Sequence, residues 1–349
     1  MAVFACAAVP ASRSLPPDAH AREPGPLRQT LHAVAALPPA LAGRFTEMLA
    51  FQQATSGRYF VFDRRGHTVY AIDPDMREAT RLLAIGQEEG RVLLPFAFDA
   101  GPGELFAVGD APGGGRDRVQ VFDPGGYRVG GFTLPSRTES RVQLGGLVLN
   151  GLATLQFTRD YTVLVNQPES GALITEYDVQ GRLLRTIGTL RPTGHEPDRD
   201  LHLAFNSGLP LRAPSGGFLF VFQSGEPRFQ RYSDEGRLLF ERAIQGHELD
   251  AVLRAQPTRW PRRTGAAGGD VPIVTPVVRA AAVSPRDDLW IALSLGVTYV
   301  YDAQGEKSRI VRFRGAGPLQ PTSLYFTVDG RLLATPGGYV FRPDAPVAR

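Results

Sequence analysis

Short apolar segments separated by turn residues follow one another along most of the chain. The segments are rich in Val, Leu, Ile, Phe and Tyr and are bounded by Gly, Pro, Asp and Asn, a pattern that predicts short β-strands joined by tight turns. The 39 glycines and 29 prolines among the 349 residues favour many turns over long helices. We therefore expect an all-β chain built from a repeated unit.

One phrase recurs along the chain. It consists of an aromatic or aliphatic residue, then Asp or a small polar residue, then a turn, then an alternating strand. The Asp-equivalent positions are 73, 123, 178, 233, 302 and 342, so the copies are spaced by 50, 55, 55, 69 and 40 residues. A unit of about 40–50 residues with four short strands is typical of a propeller blade.

The best-defined copy predicts strands over 152–158, 162–165, 172–177 and 182–187. Asp178 and Gly181 lie in the turn between the third and fourth strands. Asp at such a position accepts backbone hydrogen bonds, and Gly tolerates a positive φ. We therefore assign Asp178 a structural role, and Ser233 fits the same position in the next copy.

The last copy predicts strands over 323–328, 331–334 and 338–341 and then ends without a fourth strand. An unassigned strand-like run, residues 29–37, lies near the N-terminus. A propeller with unpaired end blades would expose strand edges. We predict that this N-terminal strand supplies the missing outer strand, which gives a closed ring of six blades.

The phrase at residues 177–188, YDVQGRLLRTIG, resembles the repeat of NHL-like six-bladed β-propellers. Asp73 with Ile85 and Gly86 is a looser copy. The resemblance covers about residues 28–344. It implies a six-bladed all-β fold but little about activity, because propellers of this kind include binding proteins, lyases and hydrolases.

The longest interval lies between blades 4 and 5 and predicts an insertion over residues 245–277. Leu249, Val252 and Leu253 have helical spacing, and Pro257 ends that pattern. The propeller domain as a whole is expected to cover residues 28–349, with one helical insertion.

The loops between consecutive blades and the loops between second and third strands emerge on the same face of a propeller. Arginine is frequent in these loops, and Arg and Trp are enriched at recognition sites. The candidate ligand- or partner-binding residues are Arg64, Arg65, Arg137, Arg141, Arg191, His195, Arg199, His202, Arg259, Trp260, Arg262 and Arg263. The sequence thus predicts a non-catalytic binding scaffold for a protein or a small anionic ligand. Alternatively, Arg is simply the default basic residue of a chain whose only lysine is Lys307.

A channel-centred enzyme is the alternative function. Resemblance to gluconolactonase-like hydrolases would imply a divalent cation held in the channel, and resemblance to propeller lyases would imply a His acting as general base. The candidate metal ligands are Glu47, Asn150, Asn166, Asn206 and Asp287. None lies in a phrase that matches those families, and His195 and His202 lack compact zinc spacing. We expect no catalytic residue, metal or cofactor.

Charge and composition narrow the partners and the location. The net charge of +3 argues against a nucleic-acid binder, and no apolar run is long enough to span a membrane. Residues 1–27 are interpreted as a truncated signal peptide and flexible leader that contains the single cysteine, Cys6. We expect a monomer in the periplasm or outside the cell, with a cytoplasmic location as the alternative.

Overall fold

Six four-stranded antiparallel blades form the protein, which confirms the predicted all-β, six-bladed β-propeller. The computed structural model describes residues 25–113, 116–134, 142–144, 147–149, 154–264 and 270–343. The predicted leader therefore lies almost wholly outside the described residues, as do Arg137, Arg141 and Asn150. Within each blade we name the strands A to D from the inside of the ring outward.

The strands of the first half follow in chain order. The chain enters through β1 (Leu27–His32), β2 (Ala35–Ala36) and α1 (Pro39–Ala42). Blade 1 contains β3 (Met48–Gln53), β4 (Tyr59–Asp63), β5 (Thr68–Ile72) and β6 (Ala79–Arg81). A short parallel pair follows, β7 (Ala84–Ile85) and β8 (Arg91–Val92). Blade 2 contains β9 (Pro95–Ala100), β10 (Phe106–Gly113), β11 (Arg116–Phe122) and β12 (Arg128–Thr133). The next connection contains β13 (Val142–Leu144) and β14 (Leu147–Leu149). Blade 3 contains β15 (Thr154–Phe157), β16 (Thr162–Asn166), β17 (Ala172–Asp178) and β18 (Leu183–Thr189).

The second half repeats the arrangement. Helix α2 (Arg199–Phe205) precedes blade 4, which contains β19 (Gly208–Arg212), β20 (Phe218–Phe222), β21 (Arg228–Tyr232) and β22 (Leu238–Ala243). The insertion contains α3 (Asp250–Arg254), β23 (Arg262–Thr264) and β24 (Asp270–Val274). Blade 5 contains β25 (Val278–Val283), β26 (Leu289–Leu293), β27 (Thr298–Tyr301) and β28 (Lys307–Arg314). After β29 (Pro318–Leu319), blade 6 contains β30 (Ser323–Phe326), β31 (Leu332–Thr335) and β32 (Tyr339–Phe341).

The hydrophobic core lies between the blades. Every residue of the B strands β4, β20 and β26 is buried, because both faces of a blade pack against its neighbours. The outer D strands are much more exposed: Ile187 is the single buried residue of β18, and β22 has no buried residue. A separate cluster of buried apolar residues fills each of the six junctions between blades. Apolar packing at every junction thus makes the ring a rigid support for the loops on its two faces.

The N-terminal segment closes the ring, but not as one continuous strand. Residues 35–36 of β2 pair with β32 and supply the fourth strand of blade 6, as predicted. Residues 27–32 of β1 pair in parallel with β28 and add a fifth strand to blade 5. Part of the predicted closing run, residues 29–32, therefore belongs to blade 5 instead of blade 6. Leu31 explains the difference, because β1 buries it among the core residues shared by blades 5 and 6.

The repeated C–D turn has the predicted structural role. The Asp178 carboxylate accepts hydrogen bonds from the backbone N–H groups of Gln180 and Arg182, at 3.1 and 2.8 Å. Ser233 takes the same role in blade 4, where its hydroxyl accepts from the Arg237 N–H at 3.3 Å. Gly181 adopts φ +88° in this turn.

Candidate functional site: the cap over blades 3 and 4

Three connections between blades build a second layer on one face of the ring. We call the layer formed by α2, β13, β14, β23 and β24 the cap. Strand β13, which leaves blade 2, pairs in parallel with β24, which leads into blade 5, and β23 and β14 extend this sheet on either side. Helix α2, from the connection between blades 3 and 4, packs against β13 and β24. The cap therefore lies on the part of this face that belongs to blades 3 and 4.

Helix α2 forms where the sequence analysis predicted no helix. The Asp198 carboxylate caps the helix by accepting from the Leu201 N–H at 3.3 Å. Leu201, Ala204 and Phe205 are buried at helical spacing. The N-cap and this spacing are the sequence signals that would have identified the helix.

The cap has its own small apolar core. Leu201, Ala204, Phe205 and Val274 form a buried cluster against which Trp260 packs. The rings of Phe205 and Trp260 meet edge to face with centroids 5.1 Å apart. Trp260, predicted as a recognition residue, is therefore half-buried as the anchor that fixes the insertion onto α2.

The side chain of Arg191 hydrogen-bonds to backbone carbonyl groups. Its guanidinium donates to the carbonyls of Phe205, Ser224 and Glu226, at 3.4, 3.2 and 3.1 Å, and lies 4.4 Å from the centroid of the Phe222 ring. Burial lowers the pKa of Arg191 to about 10. These contacts tie the cap to the B–C loop of blade 4, so Arg191 acts as a structural link between the two layers.

The two histidines also lie within the cap. The His195 ring packs against Phe205 with centroids 5.2 Å apart. His202 Nδ1 lies 2.8 Å from the Thr193 hydroxyl and 3.8 Å from the Glu196 carboxylate. The backbone N–H of Thr193 holds the pKa of Glu196 below its usual range. The histidines and Glu196 thus organise the loop that leads into α2.

Four arginines of the cap and its adjoining loop are exposed to solvent. Arg199, Arg259 and Arg263 are exposed, and none has a side-chain partner among the described residues. Arg262 is also exposed but pairs with Asp198 at the start of α2. The three unpaired guanidiniums come from two connections: Arg199 lies on α2, and Arg259 and Arg263 lie close together in the insertion.

Two further predicted residues lie elsewhere on this face. Arg64 and Arg65 both bind Glu47, with N–O distances of 2.6 and 3.2 Å. Arg64 is largely buried, whereas Arg65 has 71% of its side chain exposed. These two arginines belong to blade 1 and do not join the cap.

Acidic side chains balance the arginines of the cap and the adjoining insertion. Among the described residues 190–207, 245–264 and 270–277 there are six arginines and six acidic residues: Arg191, Arg199, Arg254, Arg259, Arg262, Arg263, Glu196, Asp198, Asp200, Glu248, Asp250 and Asp270. The arginines that the sequence analysis expects on this face are therefore accompanied by an equal number of acidic residues in this region. The formal charge of these described residues therefore sums to zero, with histidines counted as neutral.

The inner edge of the ring contains a chain of polar contacts that sequence analysis missed. Gln52, Asp99 and Gln156 occupy the same position, the second-last residue of strand A, in blades 1, 2 and 3. Each of these side chains hydrogen-bonds to the next blade. Gln52 donates to the Asp99 carboxylate at 2.8 Å and accepts from the Ala100 N–H at 2.7 Å. Asp99 accepts from the Phe157 N–H at 2.8 Å, and Gln156 accepts from the Arg212 N–H at 2.5 Å. Comparing equivalent positions across the repeats would have revealed this set.

Asp99 is the charged member of this chain. No cation pairs with its carboxylate among the described residues, and burial raises its pKa to about 7. The side chain of Tyr325 lies close enough for the Asp99 charge to raise the pKa of the phenol, in addition to the effect of burial. Both Asp99 oxygens accept hydrogen bonds from neighbouring blades, so its evident role is to connect blades 1, 2 and 3.

Most candidate metal ligands already have structural partners. Asn166 donates to the Leu173 carbonyl at 2.8 Å, and Asn206 accepts from the Arg191 N–H at 2.9 Å. Glu47 binds Arg64 and Arg65, and Asp287 binds Arg231 at 3.2 Å. In the part of the chain that the structure describes, no three His, Cys, Asp or Glu side chains lie together as a metal site.

Membrane association through a spanning helix finds no support in the described residues, where no helix is long and apolar enough to cross a bilayer.

Comparisons with known proteins extend no further than the fold. No protein-family profile and no curated protein matches the chain. Among solved structures, a streptogramin B lyase has 11% sequence identity and a TM-score of 0.47, with 84% of this chain and 91% of that chain covered. The hydrazine synthase of Kuenenia stuttgartiensis has 14% identity and a TM-score of 0.49, with 86% and 97% covered. The virginiamycin B lyase of Staphylococcus aureus has 11% identity and a TM-score of 0.46, with 83% and 78% covered. At this distance neither activity nor ligand carries over.

Proposed function

We propose that the protein is a non-catalytic binding scaffold that recognises an acidic surface of a partner protein through the cap. The observation that carries the proposal is the cap itself. Three separate connections fold into one layer with its own apolar core, and that layer leaves three arginines unpaired among the described residues. Ordering such a layer costs conformational entropy that the ring does not need for its own closure.

The arrangement of the unpaired arginines favours a protein over a small anion. Arg199 lies on α2, Arg259 in the loop before Trp260, and Arg263 on β23. Guanidiniums on separate segments suit carboxylates that are spread over a surface, and Arg is enriched among the residues that dominate protein interfaces. We infer that the cap holds these segments in a fixed relative position, which lowers the entropic cost of binding.

The experiment compares capture of partners by three forms of the protein. The cap variant carries Arg199→Ala, Arg259→Ala and Arg263→Ala. The matched control carries Arg77→Ala, Arg182→Ala and Arg237→Ala, three exposed arginines in C–D turns on the opposite face. Each form is cross-linked in extracts of the source organism, and the captured proteins are quantified by mass spectrometry.

We expect the wild type and the control to enrich the same protein. The cap variant should capture at least about tenfold less of that protein, since a few residues dominate interface energy. Capture should weaken as salt rises. The thermal stability of the cap variant should stay within about 0.5 kcal/mol of wild type, because surface substitutions without partners rarely cost more. Equal enrichment by all three forms would reject the cap as the binding face.

We also propose that the blades are NHL-like in their repeat. The support is the C–D turn, in which Asp123, Asp178, Ser233 and Asp302 all accept backbone hydrogen bonds. The glycine three positions later has a positive φ in each case. Relatives of this chain in which both turn positions vary freely would contradict the assignment.

A further inference from the structure

A pocket of about 220 Å³ lies between blades 5 and 6, on the face opposite the cap. The A–B turns of the two blades form its sides, and the aromatic rings of Trp290 and Phe326 line it, 5.6 Å apart and edge to face. Val328 adds an exposed apolar side chain. The pocket therefore has an apolar part with two aromatic residues, and its remaining wall includes charged side chains.

Trp290 carries an unsatisfied polar group in this wall. Its side chain is 1% exposed, and its indole Nε1–H has no hydrogen-bond acceptor among the described residues. A buried tryptophan N–H normally has a partner, and leaving such a donor unpaired costs about 1–3 kcal/mol. The same burial keeps this N–H out of direct reach from the pocket, and the guanidinium of Arg309 lies over the ring instead.

Arginine side chains supply positive charge at the same pocket. Arg309 lies 4.9 Å from the centroid of the Trp290 ring and donates to Asp288 at 3.2 Å. A guanidinium has five N–H donors, so Arg309 can hold a second oxygen acceptor while it keeps this pair. Arg286 also borders the pocket. Two carboxylates, Asp288 and Asp329, also line the pocket, and they pair with Arg309 and Arg331 respectively.

We propose that this pocket binds a small carboxylate with an aromatic or branched apolar body. The apolar part packs against Phe326 and Val328, and the carboxylate accepts from Arg309, whose guanidinium lies over the Trp290 ring. The volume is below the roughly 300–1,000 Å³ of sites for drug-sized ligands, which limits the ligand to about the size of benzoate. The pocket lies on the opposite face from the cap, so this site stands independently of the proposed function.

The two tryptophans allow a direct test. In a Trp260→Phe variant, Trp290 is the only tryptophan, so its emission reports on the pocket alone. Benzoate is titrated to about 20 mM, a range that covers the weak affinity expected for so few ligand atoms. Benzylamine and benzyl alcohol test whether the negative charge matters.

We expect a saturable change in Trp290 emission and a higher melting temperature with benzoate, and a response at least about tenfold weaker with the amine and the alcohol. Arg309→Gln in the same background should weaken benzoate binding by about tenfold or more. Arg242→Gln is the matched control, because Arg242 stacks on Phe240 at 4.9 Å and pairs with Glu306 outside the pocket. That control should bind benzoate as tightly as its parent.

Three results would overturn the proposal: no saturable response to benzoate, an equal response to benzylamine, or unchanged binding in Arg309→Gln. If Arg309→Gln fails to fold, as its melting curve would show, Arg286→Gln replaces it and must weaken binding in the same way.

Discussion

At the scale of single residues, the four-residue C–D turn shows how closely a backbone position can dictate its side chain. Gly181 adopts φ +88°, and a Cβ atom placed there would lie 2.5 Å from the Phe132 Cβ and 2.8 Å from the Gly131 carbonyl oxygen. Gly171 has a similar φ of +79° but no atom within 4 Å of such a Cβ. The two glycines therefore separate backbone strain from steric overlap.

We predict that Gly171→Ala costs about 1 kcal/mol of unfolding free energy, the usual strain of a left-handed residue. Gly181→Ala should cost about 3 kcal/mol or more, because overpacking against blade 2 adds to that strain. Urea denaturation of both variants measures the difference. Equal losses would show that the turn of blade 3 does not contact blade 2 as described.

Asp99 is the residue whose ionisation should affect the ring most. Its folded pKa of about 7 is above the ordinary value of 3.8, so the folded state binds the proton more tightly than the unfolded state. The neutral carboxyl therefore contributes stability at acidic pH that is lost as pH rises from about 4 through 7. Each pH unit in that window is worth about 1.4 kcal/mol, which gives a total on the order of 4 kcal/mol.

The measurement compares the unfolding free energies of wild type and Asp99→Asn between pH 4.5 and 8. Wild type should lose stability relative to the variant as pH rises, because Asn does not ionise. Two parallel pH curves would show that the Asp99 carboxylate is solvated well enough to ionise without cost.

At the scale of elements, the N-terminal segment contributes to two blades, whereas the sequence analysis predicted one strand in blade 6. β1 pairs with blade 5, and β2 pairs with blade 6. β1 buries Leu31 against blades 5 and 6, and Arg28 pairs with Glu248 of the insertion at 3.1 Å. β2 supplies only two paired residues to blade 6. Most of the contacts of this segment therefore belong to β1.

Successive N-terminal deletions test this division. Removal of residues 1–26 should leave the melting temperature unchanged, whereas removal of residues 1–33 should lower it by several degrees. The loss of β1 exposes Leu31 and its neighbours, at about 2 kcal/mol or more. Removal of residues 1–38 should lower it further, because β2 and the buried Leu37 are lost as well. If the first two deletions melt alike, the pairing of β1 with blade 5 is wrong.

Local signals in the sequence were sufficient for the blades but not for the cap. The turn around Asp178 and the missing fourth strand of blade 6 are visible within short segments, so the ring and its closure could be predicted. The cap depends on the pairing of Leu144 with Val274, two residues far apart in the chain. Such long-range pairing leaves no periodic pattern in either segment. The occupation of Arg191 by three backbone carbonyls was equally invisible, since only the fold brings those carbonyls together.

At the scale of the whole molecule, the two faces of the ring differ in construction. The face with the connections between blades carries the cap, whereas tight A–B and C–D turns make up the other face and enclose the pocket beside Trp290. The junctions between blades are filled by apolar side chains all round the ring. The proposed protein-binding surface and the proposed carboxylate pocket therefore lie on opposite faces of the ring.

Recognition through the cap is tested most directly by hydrogen–deuterium exchange, measured on the free protein and on its complex with the captured partner. The backbone amides of residues 190–207, 257–264 and 270–274 should exchange more slowly in the complex than in the free protein, because a docked partner excludes water and suppresses local opening. The C–D turns at residues 73–78, 123–127 and 178–182 should exchange at the same rate in both states. Protection confined to those turns or to the outer strands β18 and β22, with no change in the cap, would contradict recognition through the cap.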